Sequence, residues 1–230
     1  NMILEDNIAR FGAGIYATGS SNVLVQNVLF RENSAKDKSI KLPVLLANTG
    51  GLGGGIYVRD TVSLVIEKSD FLDNAASSGA GIYATTSPTT SATLNLNQTA
   101  FIGNIATEFG GATCLNNNVT FNMSNSVVVG NKAAAGGGIA LQTSAKATIE
   151  RSVISSNWAT GGTSYAGNGY GGGILAYTTN SLLVKDSLVE NNNSIQLQAT
   201  PSAQAVFLNA QHKPAGSLWD DFALASSGAT

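Results

Sequence analysis

Short runs of alternating apolar and polar residues return six times along the chain, each after a glycine. In the second copy, Gly53 is followed by Ile56 and Val58, with Tyr57 between them and Arg59 after them. A period of two is typical of a short β-strand that turns one face inward and the other outward. The glycines that open the six copies are Gly12, Gly53, Gly79, Gly110, Gly136 and Gly171.

Two further strands are predicted in each copy. Leu94 and Leu96 of the third copy alternate with polar residues and indicate a second strand, and Phe71 of the second copy opens a third that ends at Asn74. The residues equivalent to Phe71 are Phe30, Phe71, Phe101, Val128, Ile154 and Val189. The asparagines three positions later are Asn33, Asn74, Asn104, Asn131, Asn157 and Asn192, and a partial copy ends at Asn7.

A unit of three short strands cannot bury its apolar side alone, but stacked copies bury a continuous core. The sequence therefore predicts an all-β parallel β-helix (a solenoid) of six to seven three-stranded coils over residues 1–194. Residues 195–230 break the pattern and are predicted to form an irregular C-terminal cap or a linker. Within them, Val206–Leu208 is expected to pair as one more strand, and Trp219 and Phe222 to cover the end of the core.

The asparagine column is interpreted as structural. An asparagine side chain bonds local backbone, accepts left-handed geometry and can bond the next amide in a stack. The predicted ladder consists of Asn7, Asn33, Asn74, Asn104, Asn131, Asn157 and Asn192.

Two long insertions separate an asparagine from the next glycine, at Asn33–Gly53 and at Asn157–Gly171. Both leave the helix at the same corner and should project from one side. The second contains Trp158, Tyr165 and Tyr170, which we take as candidates for partner binding because loops on rigid scaffolds carry much of protein function. The alternative is that both insertions are tolerated additions or a cover for neighbouring surface.

Outward tyrosines form a second candidate site. Tyr16, Tyr57 and Tyr83 occupy equivalent positions and should stack into an aromatic strip that can bind sugar rings or a protein. The favoured interpretation is that the column stabilises adjacent strands or packs under the insertions. Cys114 falls in the same column and is expected to be partly exposed.

Composition excludes several classes of protein. Charged residues are 11% of the chain and the net charge is −2, so there are no basic clusters for nucleic acid or an anionic membrane. No apolar run is long enough to insert into a membrane. The single cysteine permits no internal disulfide, and no pattern of residues indicates a metal site or a cofactor.

Glycan cleavage is not favoured, because its chemistry needs clustered carboxylates. Glu32 and Asp73 share one outward column, but no third acid joins them. His212 and the pair Asp220 and Asp221 lie in the tail. No catalytic residue is assigned.

Three Asn-x-Ser/Thr sequons fall on outward or turn positions and are candidates for N-glycosylation in a eukaryotic secretory route. They begin at Asn97, Asn118 and Asn122.

The paired signature of Gly53–Ile56 with Phe71–Asn74, and of Gly79–Ile82 with Phe101–Asn104, resembles the repeats of the chlamydial polymorphic outer-membrane protein family. The resemblance covers roughly residues 4–192. It implies a right-handed helix and a non-catalytic structural or adhesive protein, extracellular or at the cell surface. Residues 110–113 read Gly-Gly-Ala-Thr and depart from the signature.

Two alternatives remain open at this stage. One is a subunit of a surface filament or coat, assembled through the helix ends and side loops. The other is a polysaccharide-binding or polysaccharide-cleaving β-helix protein. The expected partners are other protein subunits or surface glycans, and the chain is expected to be part of a longer polypeptide or an assembly.

Overall fold

The described part of the computed structural model comprises residues 2–36, 50–161, 169–177, 181–194, 206–211 and 222–225. Every regular element in these residues is a β-strand, and every strand pairing is parallel. Strands at equivalent positions pair across successive coils and form four rows, which we number in the order that a coil visits them after its glycine. The predicted fold class, an all-β parallel β-helix, is confirmed.

The first row begins after each repeat glycine and forms a seven-stranded sheet. Its strands are β3 (Ile15–Thr18), β7 (Ile56–Arg59), β11 (Ile82–Thr85), β15 (Thr113–Asn116), β19 (Ile139–Leu141), β23 (Ile174–Tyr177) and β27 (Phe222–Ala225).

The second row contains the longer strands. They are β4 (Ser21–Gln26), β8 (Val62–Glu67), β12 (Ala92–Asn97), β16 (Val119–Ser124), β20 (Lys146–Glu150), the first half of β24 (Ser181–Glu190) and β26 (Val206–Gln211).

The third row is joined to the second, because β24 continues through the corner between them. Its strands are β1 (Met2–Glu5), β5 (Val28–Arg31), β9 (Asp70–Leu72), β13 (Ala100–Ile102), β17 (Val127–Val129), β21 (Val153–Ser155) and the second half of β24.

A fourth row follows each ladder asparagine and was not predicted. Its strands are β2 (Ile8–Ala9), β6 (Ser34–Ala35), β10 (Ala75–Ser78), β14 (Ile105–Phe109), β18 (Lys132–Ala133), β22 (Trp158–Ala159) and β25 (Asn193–Ser194). Most have only two residues, so no alternation is long enough to be read as a strand. Each coil therefore has four short strands rather than three.

The tail adds strands to two rows. Val206–Gln211 pairs with β24 and Phe222–Ala225 pairs with β23, so both continue the helix in parallel. Val206–Leu208 does pair as a strand. Trp219 lies outside the described residues.

Left-handed residues occur at all four corners of the coil, including Asp60 (φ 66°) between the first and second rows. Gly53 has a φ of 66° and begins the first row, and a Cβ there would lie 2.3 Å from the carbonyl oxygen of Ile56. That contact excludes any side chain and explains the repeated glycine. The corner before the third row places Lys68 and its equivalents in the left-handed region.

The corner before the fourth row corrects one detail of the sequence interpretation. The left-handed residue is the one before each ladder asparagine, such as Glu32 (φ 54°) and Asp73 (φ 52°), and not the asparagine itself. The asparagine amide then points inward and is free to bond its neighbours.

The asparagine ladder runs through the helix as predicted. Asn104 donates from its backbone N–H and from Nδ2 to Oδ1 of Asn131, at 3.0 and 2.9 Å. Its Nδ2 also donates to the carbonyl oxygen of Phe71 at 2.9 Å, and its own Oδ1 accepts both donors of Asn74. The ladder residues from Asn33 to Asn192 are buried.

Hydroxyls form a shorter ladder at the corner between the second and third rows. The N–H of Ser126 donates to Oγ of Ser152 at 3.1 Å, and the hydroxyl of Ser126 donates back to the carbonyl oxygen of Ser124. Between the ladders, the apolar residues stack by type. The rings of Phe30 and Phe71 lie 4.5 Å apart, and those of Phe71 and Phe101 lie 4.7 Å apart.

Replacing Asn104 with alanine should strongly destabilise the helix. The change leaves buried donors of Asn74, the Oδ1 of Asn131 and the carbonyl oxygen of Phe71 short of partners, at about 1–3 kcal/mol for each unsatisfied group. We expect a loss of at least about 3 kcal/mol in the free energy of unfolding, measured by chemical denaturation. The exposed Asn22→Ala on β4 is the control and should cost less than about 0.5 kcal/mol.

Thr113→Val should stabilise the protein. Thr113 is fully buried at a position that holds isoleucine in the five other copies, and its Oγ1 has no hydrogen-bond partner among the described residues. Removing an unpartnered buried hydroxyl at constant shape should raise the free energy of unfolding by about 1 kcal/mol. The outward Thr93→Val is the control. A destabilised Thr113→Val protein would contradict the argument.

Candidate functional site

The predicted tyrosine column is present on the outer side of the first row. The rings of Tyr16 and Tyr57 are stacked, with centroids 5.2 Å apart and planes 7° from parallel. Tyr57 and Tyr83 are stacked at 5.7 Å and 2°. Cys114 pairs in register with Tyr83 and continues the column.

The expected exposure of this column is wrong for most of its members. Tyr16 is 47% exposed, but Tyr57 and Tyr83 are only 6% and 8% exposed, and Cys114 is fully buried. Tyr57, Tyr83 and Cys114 belong to a second buried apolar cluster, separate from the main core, and partly buried apolar residues cover it.

The cover comes from the corner between the fourth and first rows. Phe11, Leu52 and Phe109 pack against the column, and the ring of Phe11 lies 5.2 Å from that of Tyr57. Phe11 and Leu52 also form an isolated parallel bridge, so the cover is itself in register with the coils. Only Tyr16 presents its ring to a ligand. The column otherwise stabilises adjacent strands and packs under corner residues, as the favoured interpretation held.

Burial also governs the chemistry of the column. Burial raises the pKa of the Tyr83 phenol and of the Tyr57 phenol above their ordinary value. Burial raises the pKa of the Cys114 thiol, and the carboxylate of Glu108 raises it further. A thiol held protonated and away from solvent is a poor nucleophile.

The outer side of the fourth row carries a smaller exposed patch. Trp158 and Ile105 are each 44% exposed, and Lys132 lies between them in register. The Lys132 ammonium lies 5.1 Å from the centroid of the Trp158 ring, within the range of a cation–π contact. Trp158 is therefore available to a partner.

The other candidates from the second insertion differ from Trp158. Tyr170 is partly buried against Ala134, Ala135 and Leu175. Tyr165 lies outside the described residues.

The outer face of the second row is a surface that the sequence analysis did not identify. Its outward side chains form columns across successive coils, and the central column is polar in the middle and apolar towards both ends. That column contains Leu24, Val65, Asn95, Asn122, Thr148 and Leu183. Leu24 and Leu183 at its two ends are 65% and 37% exposed.

An open groove of about 370 Å³ lies along the middle of this face. Its apolar edge includes Val65, and its polar edges include Glu67 on one side and Glu150 with Arg151 on the other. A concave surface with a few convergent polar groups is the usual form of a ligand site. Amides, hydroxyls and one guanidinium can together bond a polyhydroxyl or peptide ligand.

Hydrogen bonds hold these side chains in place. Asn122 Nδ2 donates to Asn95 Oδ1 at 2.9 Å. Asn97 Oδ1 accepts from Asn125 Nδ2 at 2.8 Å and from the hydroxyl of Ser124 at 3.2 Å. Arg151 Nε donates to Asn125 Oδ1 at 3.1 Å. The groove is thus pre-organised by contacts between coils, which lowers the entropy lost on binding.

The three sequons lie on or beside this face. Asn97 and Asn122 line the groove, and both make the hydrogen bonds just described. Asn118 lies at a turn with a φ of 36° and donates from Nδ2 to the carbonyl oxygen of Pro88 at 2.9 Å.

Acidic residues are spread over the described surface. Glu32 and Asp73 lie at equivalent corners of successive coils, and both are exposed. Within the described residues, no three His, Cys, Asp or Glu side chains come together in a group able to hold a metal ion. His212, Asp220 and Asp221 lie outside those residues.

A protein-family model described as the right-handed β-helix region matches residues 1–141, more than half of the chain. The chain therefore belongs to the family of right-handed β-helix proteins, which agrees with the expected handedness. No curated protein and no solved structure shows significant similarity to it. In the part of the chain that the structure describes, no helix is long and apolar enough to cross a membrane.

Cys114 should make stability depend on alkaline pH. Its ordinary pKa is 9.0, and burial raises the pKa in the folded state, so only the unfolded chain ionises just above pH 9. The unfolded state then binds fewer protons, and the free energy of unfolding should be about 1.4 kcal/mol lower at pH 10 than at pH 8. Cys114→Ala should remove this part of the decline in denaturation curves.

Thiol labelling provides a second readout of the same burial. Cys114 should resist labelling in the native protein and react after denaturation. An exposed cysteine introduced as Ser181→Cys should label readily in the native state. Equal labelling of the two thiols would contradict the burial of Cys114.

Proposed function

We propose that the protein is a non-catalytic rod, extracellular or at the cell surface, that serves a structural or adhesive role. The observation that carries the proposal is the pre-organised groove on the outer face of the second row. We assign this groove as the adhesive surface, with surface glycans or proteins as its ligands. The proposal also agrees with the resemblance to polymorphic outer-membrane protein repeats.

The scaffold is suited to holding outward side chains at fixed positions for a ligand. Buried ladders of asparagine and hydroxyl side chains link every coil to the next, so outward side chains keep a constant separation along the axis. Neighbouring parallel strands lie about 4.8 Å apart, so the groove presents one outward side chain from each coil at that interval. A ligand with repeating units can contact several coils at once, and each contact requires little ordering of the protein.

Trp158 and Tyr16 are secondary contact candidates. Both rings are exposed, and exposed aromatic rings can stack on sugars or anchor a protein. They lie on the fourth and first rows, so a ligand bound in the second-row groove does not reach them on the same face.

Glycans at Asn97 or Asn122 would cover the groove, whereas a glycan at Asn118 would lie beside it.

A filament or coat subunit is the second candidate. The observation that favours it is that the strands of each row stack in parallel and in register, a geometry that a coil of another subunit can continue. Unpaired strand edges invite addition of further strands.

Binding to glycan arrays and to cells tests the adhesive role. Asn95→Lys places a long charged side chain in the groove and should weaken binding at least tenfold. Thr93→Lys adds the same side chain one outward position away on the same strand, outside the groove, and should leave binding within twofold of the unmodified protein. Circular dichroism should show both variants folded.

Three outcomes would contradict the proposal. Equal binding by both variants would show that the groove is not the binding site. Release of reducing sugars from a polysaccharide would favour the cleaving alternative. Fibres in electron micrographs, with no ligand bound in the assays, would favour the filament.

A further inference from the structure

A second open pocket, of about 320 Å³, lies where the chain turns from the first row into the second, and we call it the corner pocket. It is formed by three consecutive coils in the middle of the chain. The first coil contributes Pro88–Ser91, the second contributes Asn118 and Thr120, and the third contributes Ser144 and Lys146. The corner pocket lies at the beginning of the second-row strands, whereas the groove lies towards their ends.

One wall of the corner pocket is an insertion that a single copy of the repeat carries. Phe101 follows Gly79 by four residues more than Phe71 follows Gly53, and the other four copies keep the shorter spacing. The extra residues lie in the turn that contains Pro88, before β12 begins at Ala92. The pocket therefore exists at a local departure from the repeat, where a rigid scaffold carries a loop.

Hydrogen bonds fix this wall to the coils on both sides of it. The hydroxyl of Ser87 donates to Asp60 Oδ1 at 2.9 Å in the preceding coil. Asn118 Nδ2 of the following coil donates to the carbonyl oxygen of Pro88 at 2.9 Å. Within the turn, the N–H of Thr90 donates to the carbonyl oxygen of Ser87 at 3.0 Å. The pocket is thus shaped before a ligand arrives, which lowers the entropy lost on binding.

Lys146 gives the corner pocket a positive charge. It is exposed, it is the one charged residue among those that line the pocket, and its ammonium forms no ion pair with the described residues. The residues that pair with it in register, Thr120 and Ser181, are neutral. An ammonium donates hydrogen bonds and accepts none, so its best partner is an anion.

The rest of the lining matches a sugar better than a bare ion. The hydroxyls of Thr89, Ser91 and Thr120 make no hydrogen bonds with the described residues, and hydroxyls both donate and accept, as those of a sugar do. The ring of Pro88 adds an apolar wall. A single inorganic anion on Lys146 would leave most of these groups without contact in a pocket of this volume.

We propose that the corner pocket binds one sugar unit that carries an oxyanion. The oxyanion accepts hydrogen bonds from the Lys146 ammonium, and the ring hydroxyls bond Thr89, Ser91 and Thr120. A carboxylate and a sulfate offer an ammonium the same chemistry, so either group satisfies the site. The pocket is separate from the groove, and its occupation does not depend on the adhesive role assigned to the groove.

Titrations of the isotope-labelled full chain, made without N-glycosylation because Asn118 lines the pocket, test the proposal by nuclear magnetic resonance. The acidic probes are methyl glucuronide and glucose 6-sulfate, and the controls are methyl glucoside and inorganic sulfate. At least one acidic probe should bind at least tenfold more tightly than either control. Amide shifts should change at Ser91, Thr120 and Lys146, and not at Asn97 or Arg151 of the groove. The tighter acidic probe identifies the anion.

Two variants locate the site. Lys146→Gln should weaken binding of the acidic probe at least tenfold, whereas Lys185→Gln, which removes the same charge from an exposed position of β24, should leave it within twofold. Deletion of residues 87–90 restores the spacing of the other copies and removes the wall, so the chain should fold and lose binding at least tenfold. Circular dichroism checks the fold of each variant.

The proposal is overturned if neither acidic probe binds, or if methyl glucoside or inorganic sulfate binds as tightly as the acidic sugars. It is also overturned if Lys146→Gln or a folded deletion variant keeps full affinity. Binding through the groove is measured separately with Asn95→Lys. Failure at the corner pocket therefore leaves the adhesive role of the groove intact, and failure of that role leaves the corner-pocket result unchanged.

Discussion

The buried asparagine ladder is the interaction on which the rest of this structure depends. Each ladder amide satisfies the backbone and side chain of its neighbours in a region with no solvent, as Asn104 does between Asn74 and Asn131. A slip of one residue between coils would break these bonds and leave buried polar groups unpaired, at about 1–3 kcal/mol each. The ladder thereby sets the register of all four rows, and with it the outward columns.

The surfaces with functional potential follow from this register. The groove exists because Asn95, Asn122 and Thr148 come from three coils yet lie at one position of the second row. The ladder also has a direction, because the side-chain bonds point the same way along the axis from one coil to the next. A rigid repeat thus holds outward side chains from several coils at fixed positions on one lateral surface.

The sequence was a good guide to the inward positions and a poor one to the outward positions. The inward columns of Phe71, Ile56 and Asn74 were predictable because burial imposes the same residue type in each coil. Tyr57 and Tyr83 were correctly placed on the outer side of the first row, but their exposure was wrong. Phe11, Leu52 and Phe109 cover them, and those residues come from other coils and one insertion, where no periodic pattern marks them.

The sequence by itself determined the fold class, the ladder and the glycine corners, because each depends on contacts that every coil repeats with its neighbour. Only the tertiary structure decided the two-residue strands of the fourth row, the cover over the tyrosines and the groove beside Val65. Strands of two residues are too short to show a period, and cover and groove arise where different coils meet. Those contacts differ from coil to coil, so no repeat in the sequence encodes them.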